Sequence, residues 1–327
     1  MSKVLPLSQQ AILITGASAG IGAALAKNLA NEFTGIRLVL SARRQDKLEE
    51  VATRCRQAGA EVLVAIADMA DTEQVKALVQ KALEKFDRVD ALVNNAGYGY
   101  MCPIELVSPE AAKQQFAVNF HGPLLLIQSL IPAMRRQGGG RIVNVSSLGG
   151  RMAFPAGGMY SCSKFALEAL SDVLRMELKA FNIHTVVIEP GPVATEFFGV
   201  AWEKIQQTIP DCKNTIYQPA FEKIEAIDKQ LQLLGWTPEK VAEIIVRSLV
   251  ARRPHPRYFA ATGGSFFVPV MTKIMPTWFT DAFWKRFYGF DRIEKNWRND
   301  EGGMMNDEGG MMNDELGVVF ITYHSAF

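Results

Sequence analysis

Cysteine and histidine are scarce: the 327 residues hold four of each. Cys55, Cys102, Cys162 and Cys212 are scattered and form no C-x-x-C. That excludes a disulfide framework or cysteine zinc site and suits a reduced, cytoplasmic protein. His121, His184, His255 and His324 never fall at H-E-x-x-H spacing, so no metal site is expected. Neither charge sign dominates. The formal net charge is +1, and no basic run is interleaved with aromatics, so nucleic acid is not an expected partner. The opening MSKVLPLSQQ lacks the apolar segment of a secretory signal. No uncharged run is read as approaching the roughly 20 residues that span a bilayer. Interior linkers are also missing, so one domain to about residue 298 is expected.

What is present is alternation. Short apolar runs read as strands: AILIT (Ala11 to Thr15), RLVLSA (Arg37 to Ala42), VLVAIAD (Val62 to Asp68), ALVNNAG from Ala91, RIVNVSS (Arg141 to Ser147), HTVVIEP (His184 to Pro190) and RYFAA (Arg257 to Ala261). Helical patterns separate them, including one long helical stretch from about Pro109 to Arg136 and one from about Gly158 to Phe181. Thr237 and Pro238 open a further helix as N-cap and first helical residue. Strands apolar on both faces, each followed by a helix, predict an α/β fold. It is a doubly wound (Rossmann) parallel sheet of about seven strands, with helices on both faces, in a single domain. Beyond it, NDEGGMM at Asn299 to Met305 is duplicated at Asn306 to Met312. The 299–327 tail is therefore expected to be low-complexity and disordered or loosely packed. Its apolar end, LGVVFITYHSAF, either docks as an extra strand or is foreign to the fold.

The turn TGASAGIG, Thr15 to Gly22, admits two chemistries. Gly16 to Gly20 fits G-x-S-x-G, the elbow that presents a serine nucleophile, here Ser18. Gly16, Gly20 and Gly22 also form a glycine turn whose amides suit a phosphate at a helix N-terminus. This is the first strand-to-helix turn of the chain, where a doubly wound sheet receives a dinucleotide diphosphate. The second reading is preferred, with Ser18 as a phosphate or ribose hydrogen-bonder.

Tyr160 and Lys164 form the only Y-x-x-x-K. Four apart on a helix, they share a face. Carbonyl reduction leaves an oxyanion that needs a proton, and a free phenol, with a pKa near ~10, holds its proton too tightly to cycle at neutral pH. A neighbouring ammonium lowers that pKa. Alone, the pair reads as an ordinary surface tyrosine and a solvated lysine; joined with the motifs and the resemblance given below, Tyr160 reads as acid/base and Lys164 as its tuner. At the end of the second strand, where NAD enzymes place an acid, stand Ala42, Arg43 and Arg44. A guanidinium there binds a 2′-phosphate, which favours NADP(H), with Arg43 first and Arg44 second. Asp46 comes too late for the ribose and reads as a helix cap.

In this order, TGASAGIG, Asn94-Asn95-Ala96-Gly97, Tyr160-Ser161-Cys162-Ser163-Lys164 and Pro190-Gly191 resemble the motifs of the short-chain dehydrogenase/reductase family, from about Ala11 to Thr195. The resemblance implies that Ser147 hydrogen-bonds the substrate carbonyl, with Ser146 as rival. It implies that Asn119 organises a proton relay to Lys164, and that Lys164 also holds the nicotinamide ribose. It places Ile21, Asp68, Met69, Asn95, Ala96, Gly97, Pro190, Gly191, Val193 and Thr195 along the cofactor, and it implies a homodimer or homotetramer.

The segment between Pro190 and Trp236 corresponds to the family's variable substrate lid, here about 192–236. Phe154, Met159, Phe197 and Phe198 are candidate pocket residues for a lipophilic carbonyl or alcohol, steroid-, retinoid- or acyl-like. Met152, Tyr98, Tyr100 and Trp202 are further apolar candidates. In the C-terminal aromatic segment, about 265–298, Phe279, Phe283 and Phe287 are spaced i, i+4, i+8. That helix, 278–290, packs as ordinary structure, covers the substrate mouth, meets a partner subunit or lies peripherally on a membrane. Two rival functions stand beside the oxidoreductase: a serine hydrolase using Ser18, and a non-catalytic NADP(H)-binding sensor.

Overall fold

The computed structural model describes residues 5–209 and 214–297. The repeat and the apolar end of the tail, with Cys212, lie outside the described residues. Seven strands make one sheet: β1 (Ala11–Thr15), β2 (Arg37–Ala42), β3 (Glu61–Ile66), β4 (Ala91–Asn94), β5 (Gly140–Val145), β6 (Ile183–Pro190) and β7 (Arg257–Ala260). Their order is β3-β2-β1-β4-β5-β6-β7, and every pairing is parallel. The helices are α1 (Gly20–Glu32), α2 (Gln45–Gln57), α3 (Thr72–Phe86), α4 (Pro109–Phe116), α5 (Gly122–Arg136), α6 (Gly158–Glu177), α7 (Phe197–Thr208), α8 (Gln218–Leu234), α9 (Pro238–Val250), α10 (Gly264–Pro269) and α11 (Thr277–Tyr288).

The alternation of each strand divides the core. In β1, Ile12 and Ile14 face a layer built with α1, α2 and α9, while Ala11 and Leu13 face one built with α3, α5 and α6. All five β1 residues are buried, as expected of a strand covered on both sides. The winding reverses between β1 and β4, and an open parallel sheet of this kind has its ligand crevice at the carboxyl ends of those two strands.

Three expectations need correction. The predicted third and fifth strands are too long: Ala67–Asp68 and Ser146–Ser147 leave the sheet. Their residues are the crevice loops, and an apolar run does not mark where pairing stops. The long helical stretch is not one α-helix. A π-helical turn, Ala117–His121, separates α4 from α5, and such turns widen the backbone to re-aim side chains. Lastly, residues 114–134 carry no Asp, Glu, Lys or Arg, so one uncharged run does reach bilayer length. It belongs to the helical run Pro109–Arg136, which is long and apolar enough by composition to cross a membrane. In this fold its face bearing Leu126, Ile127, Leu130 and Met134 is buried against the sheet.

The segment 192–236 holds α7 and α8, packed on their own small core of Ala201, Ile205, Phe221 and Ile224. Its two ends are tied together. Val193 and Trp236 form a parallel bridge, with Ala194 N donating to Trp236 O at 2.9 Å and Trp236 N to Pro192 O at 3.0 Å.

Candidate active site

The first crevice loop is shaped by glycine. Gly16 and Gly20 sit at φ +66° and +53°, where a Cβ is disfavoured. At Gly22 the obstacle is space: a Cβ would lie 2.4 Å from Gly16 O and 2.6 Å from Asn95 Nδ2. Asn95 fixes this turn from β4. Its Nδ2 donates to Thr15 O at 2.9 Å and Gly16 O at 3.3 Å, and its backbone N and that of Ala96 both donate to Thr15 Oγ1 at 3.0 Å. The N-cap of α1, Ala19, provides no side-chain cap. First-turn amides of a helix left without a side-chain acceptor suit an anion. A bare-glycine cradle at a helix N-terminus fits a dinucleotide diphosphate.

The second loop group carries the reactive side chains. Ser147 leaves β5 and caps a short 3₁₀ turn, its Oγ accepting from Gly149 N at 3.0 Å. Tyr160 and Lys164 lie in the first two turns of α6, both buried. Tyr160 and Ser147 line the same cleft. Lys164 Nζ donates to Val145 O at 2.9 Å and lies 6.0 Å from the centre of the Tyr160 ring. Asn119 sits in the π-helical turn. Its Oδ1 accepts from Tyr98 N at 3.1 Å, and its Nδ2 donates to Tyr98 O at 3.0 Å and Ser163 Oγ at 3.1 Å. Ser163 Oγ in turn donates to Tyr160 O at 2.7 Å. A Cβ on Gly97 would be 3.2 Å from Asn119 Oδ1 and 3.5 Å from Lys164 Nζ, so NNAG, the π-helical turn and α6 meet at one point.

The electrostatics differ from the simple expectation. Burial pushes the Tyr160 phenol up to about 12, opposed by the neighbouring Ser147 side chain rather than by Lys164. Burial also pushes the Lys164 ammonium down to about 8, partly offset by Glu168. In this desolvated pocket the cost of charging a group exceeds the pair's mutual help.

Site candidates otherwise divide by distance from this centre. Ile21, Asn95, Gly97, Ser147, Phe154, Tyr160, Lys164, Pro190, Gly191, Val193, Thr195 and Phe197 all line one cleft of about 600 Å³. Thr195 arches over the glycine turn, 3.3 Å from a Cβ placed on Gly20. The Phe197 ring meets that of Tyr160 edge-on at 5.4 Å. Asp68 and Met69 follow β3 at the crevice edge, where Asp68 Oδ1 accepts from Ala70 N at 2.9 Å. Arg43 stands beside them, its Nη1 3.7 Å from Asp68 Oδ2. Arg44 is held by Glu196 at 2.8 Å, with Lys47 on the same carboxylate at 2.9 Å.

Five side chains depart from expectation. Met159 does not line the cleft; one step before Tyr160, it is rotated about 100° around the helix. Tyr98, Tyr100 and Trp202 pack into the lid core. Asp46 lies in the first turn of α2, and Arg44 holds the N-cap position without a side-chain bond. The side chain of Phe198 lies outside the described residues. Ser146, the rival of Ser147, is buried.

Sequence reasoning missed two sets of residues. Trp236, Phe267, Trp284 and Tyr288 complete the cleft together with Phe283 and Phe287, for whose helix covering the substrate mouth was one of the open readings, and Phe154 stacks on Tyr288 at 5.2 Å and 9°. No local pattern links α11 to Tyr160. Beneath the site, Arg257 binds Glu168 at 3.1 Å, Glu189 at 3.2 Å and Asp172 at 2.7 Å, and Arg151 binds Glu189 at 3.0 Å. Burial and Glu189 raise Glu168 to about 7. Glu168, four residues after Lys164 on the same helix, was legible by spacing.

The short chain dehydrogenase family model matches residues 10–206, which include both loop groups just described. The chain belongs to the short-chain dehydrogenase family. This dehydrogenase is 34% identical to human 17-beta-hydroxysteroid dehydrogenase type 1 over 77% of its own length and 78% of that protein's. A short-chain dehydrogenase/reductase from Burkholderia phymatum, solved in complex with NAD, superposes with a TM-score of 0.73 at 25% identity, over 82% of this chain and 94% of that one. A metagenomic short-chain oxidoreductase in complex with NADP superposes at 0.61 with 27% identity, over 77% and 97%. The dehydrogenase is therefore an oxidoreductase of a fold that binds NAD or NADP, and the hydrolase reading of GASAG has no support in its family.

Proposed function

We propose that this dehydrogenase transfers a hydride between NADP(H) and a carbonyl or secondary alcohol on a lipophilic small molecule, with Tyr160 as acid/base. The observation that carries the reading is the convergence of Ser147, Tyr160 and Lys164 on one apolar cleft.

Gly16, Ser18, Gly20 and Gly22 would hold the diphosphate, Lys164 the nicotinamide ribose, and Val193 and Thr195 the carboxamide. When bound, the reduced dinucleotide supplies the hydride. The chain's own groups handle the proton. Tyr160, protonated at neutral pH because burial raises its pKa, donates its proton to the carbonyl oxygen, and Ser147 hydrogen-bonds the same oxygen. The phenolate left behind is stabilised by the Lys164 ammonium and reprotonated from solvent through the Asn119 corner. The raised phenol pKa keeps the protonated form populated at neutral pH, the form that carbonyl reduction requires.

NADP(H) over NAD(H) is supported by the missing acid after β2 and by Arg43 at that corner. The lipophilic substrate is supported by the walls of Met101, Met152, Phe154, Phe197, Trp284 and Phe287, and a steroid-like skeleton by the relative named above.

NADPH consumption across a panel of steroids, retinal, acyl ketones and small aldehydes tests the reading. Tyr160→Phe should lower turnover by about 100-fold or more, the usual contribution of a general acid, while leaving NADPH affinity nearly unchanged. Full activity in that variant would remove the mechanism. NADPH binding with no turnover on any panel member would favour the sensor reading.

A further inference from the structure

We propose that the outer surface of α10 and α11 docks on anionic lipid bilayers and opens the cleft toward the membrane interior. The docking surface needs only the geometry below; its use for substrate delivery rests on the proposed lipophilic substrate.

Large apolar side chains are exposed here in one continuous stretch. Phe266 is 76% exposed, Ile274 66% and Trp278 72%, with Phe279, Phe283 and Phe287 following in one row. Scattered exposed apolar residues are normal, but a contiguous aromatic surface marks an interaction site. Two features select a bilayer as the occupant. Residues 264–288 carry Lys273, Lys285 and Arg286 against a single acid, Asp281; Lys285 also reaches Glu294 at 2.5 Å. Exposed Trp and Phe among basic side chains form the composition that binds an anionic headgroup layer, with the rings inserted about 5–10 Å.

The second feature is continuity with the cleft. Phe283 and Phe287 belong both to the exposed row and to the cleft lining. On the inner side of the same helix, Trp284 and Tyr288 contact Phe154, which lines the cleft beside Tyr160. A protein partner seated on this surface would shut the cleft mouth, whereas a bilayer would present a lipophilic molecule to it.

The test uses the full chain with phosphatidylcholine vesicles, with and without phosphatidylserine. Co-sedimentation with the phosphatidylserine vesicles is expected, weakening as salt rises. The double variant Phe266→Ser/Trp278→Ser, neither residue lining the cleft, should bind about tenfold more weakly or worse. Its thermal unfolding midpoint should stay near that of the parent chain. No binding of the parent chain to either vesicle would overturn the proposal. Undiminished binding by the double variant would overturn it too. So would a concentration-dependent dimer that the double variant abolishes while vesicle binding is unchanged. Vesicle binding is read without any substrate, so a failed carbonyl panel leaves this result independent.

Discussion

Tyr160 and Lys164 show how burial rather than pairing sets the chemistry of single residues. Free in water, the phenol and the ammonium would be close to equal in basicity. Inside the cleft both are moved toward their neutral forms, the phenol to about 12 and the lysine to about 8. The sign of the resulting pH dependence follows. Tyr160 holds its proton across the neutral range, and Lys164 loses its own as pH rises through about 8. The kcat/KM for carbonyl reduction should therefore be level below about pH 8 and fall above it. A profile flat to pH 10 would show that the lysine charge is not needed. Arg43 sets a second prediction. Charge-assisted hydrogen bonds contribute about 1.5–3 kcal/mol, so Arg43→Ala should raise KM for NADPH by about ten- to a hundredfold and leave that for NADH nearly unchanged. Equal effects on both would refute the NADP(H) preference.

At the scale of elements, the β1–α1 turn works because three glycines bring strand, helix and NNAG loop closer than any side chain would permit. Gly22→Ala places a methyl 2.4 Å from the Gly16 carbonyl, a backbone atom that cannot step aside. It should cost about 1–3 kcal/mol, the range for overpacking, and weaken dinucleotide binding, both measurable by thermal unfolding and fluorescence titration. Gly199→Ala on α7, with nothing within 4 Å, is the matched control and should leave dinucleotide binding unchanged and stability no lower, since alanine is the better helix former. The π-helical turn is the other decisive element. By opening the helix between α4 and α5 it lets Asn119 reach the Tyr98 backbone on one side and Ser163 on the other. Helical periodicity marked the segment as helix but could not register a single widened turn.

At the scale of the whole molecule, the sheet brings the carboxyl ends of β1, β4, β5 and β6 to one crevice, and the chain beyond residue 206 completes its walls. That later portion lies outside the family match, yet it supplies Ile227, Trp236, Phe267, Phe283, Trp284, Phe287 and Tyr288 to the cleft. On the proposed function, substrate selection is expected there. Trp284→Ala should raise KM for a polycyclic ketone by about tenfold, equivalent to about 1.4 kcal/mol, while KM for a small aldehyde stays unchanged. Steady-state kinetics on the two substrates checks it; parallel changes would place the effect on folding or on the dinucleotide.

By itself the sequence determined the parallel sheet, the glycine turn and the Tyr160–Lys164 spacing, while Ser147 stood on the family resemblance with Ser146 as its rival. Those signals are local: strand and helix periods repeat within a few residues, and the turn and the Y-x-x-x-K spacing are each contained in one loop or two helical turns. Only the tertiary structure decided that Met159 turns away from the cleft, that Arg44 is drawn to Glu196, and that Glu168 lies buried beside Glu189. It alone brought α11 across the chain to Phe154. Such contacts join residues far apart in sequence, and their energies come from excluding water between surfaces that no short stretch of sequence contains.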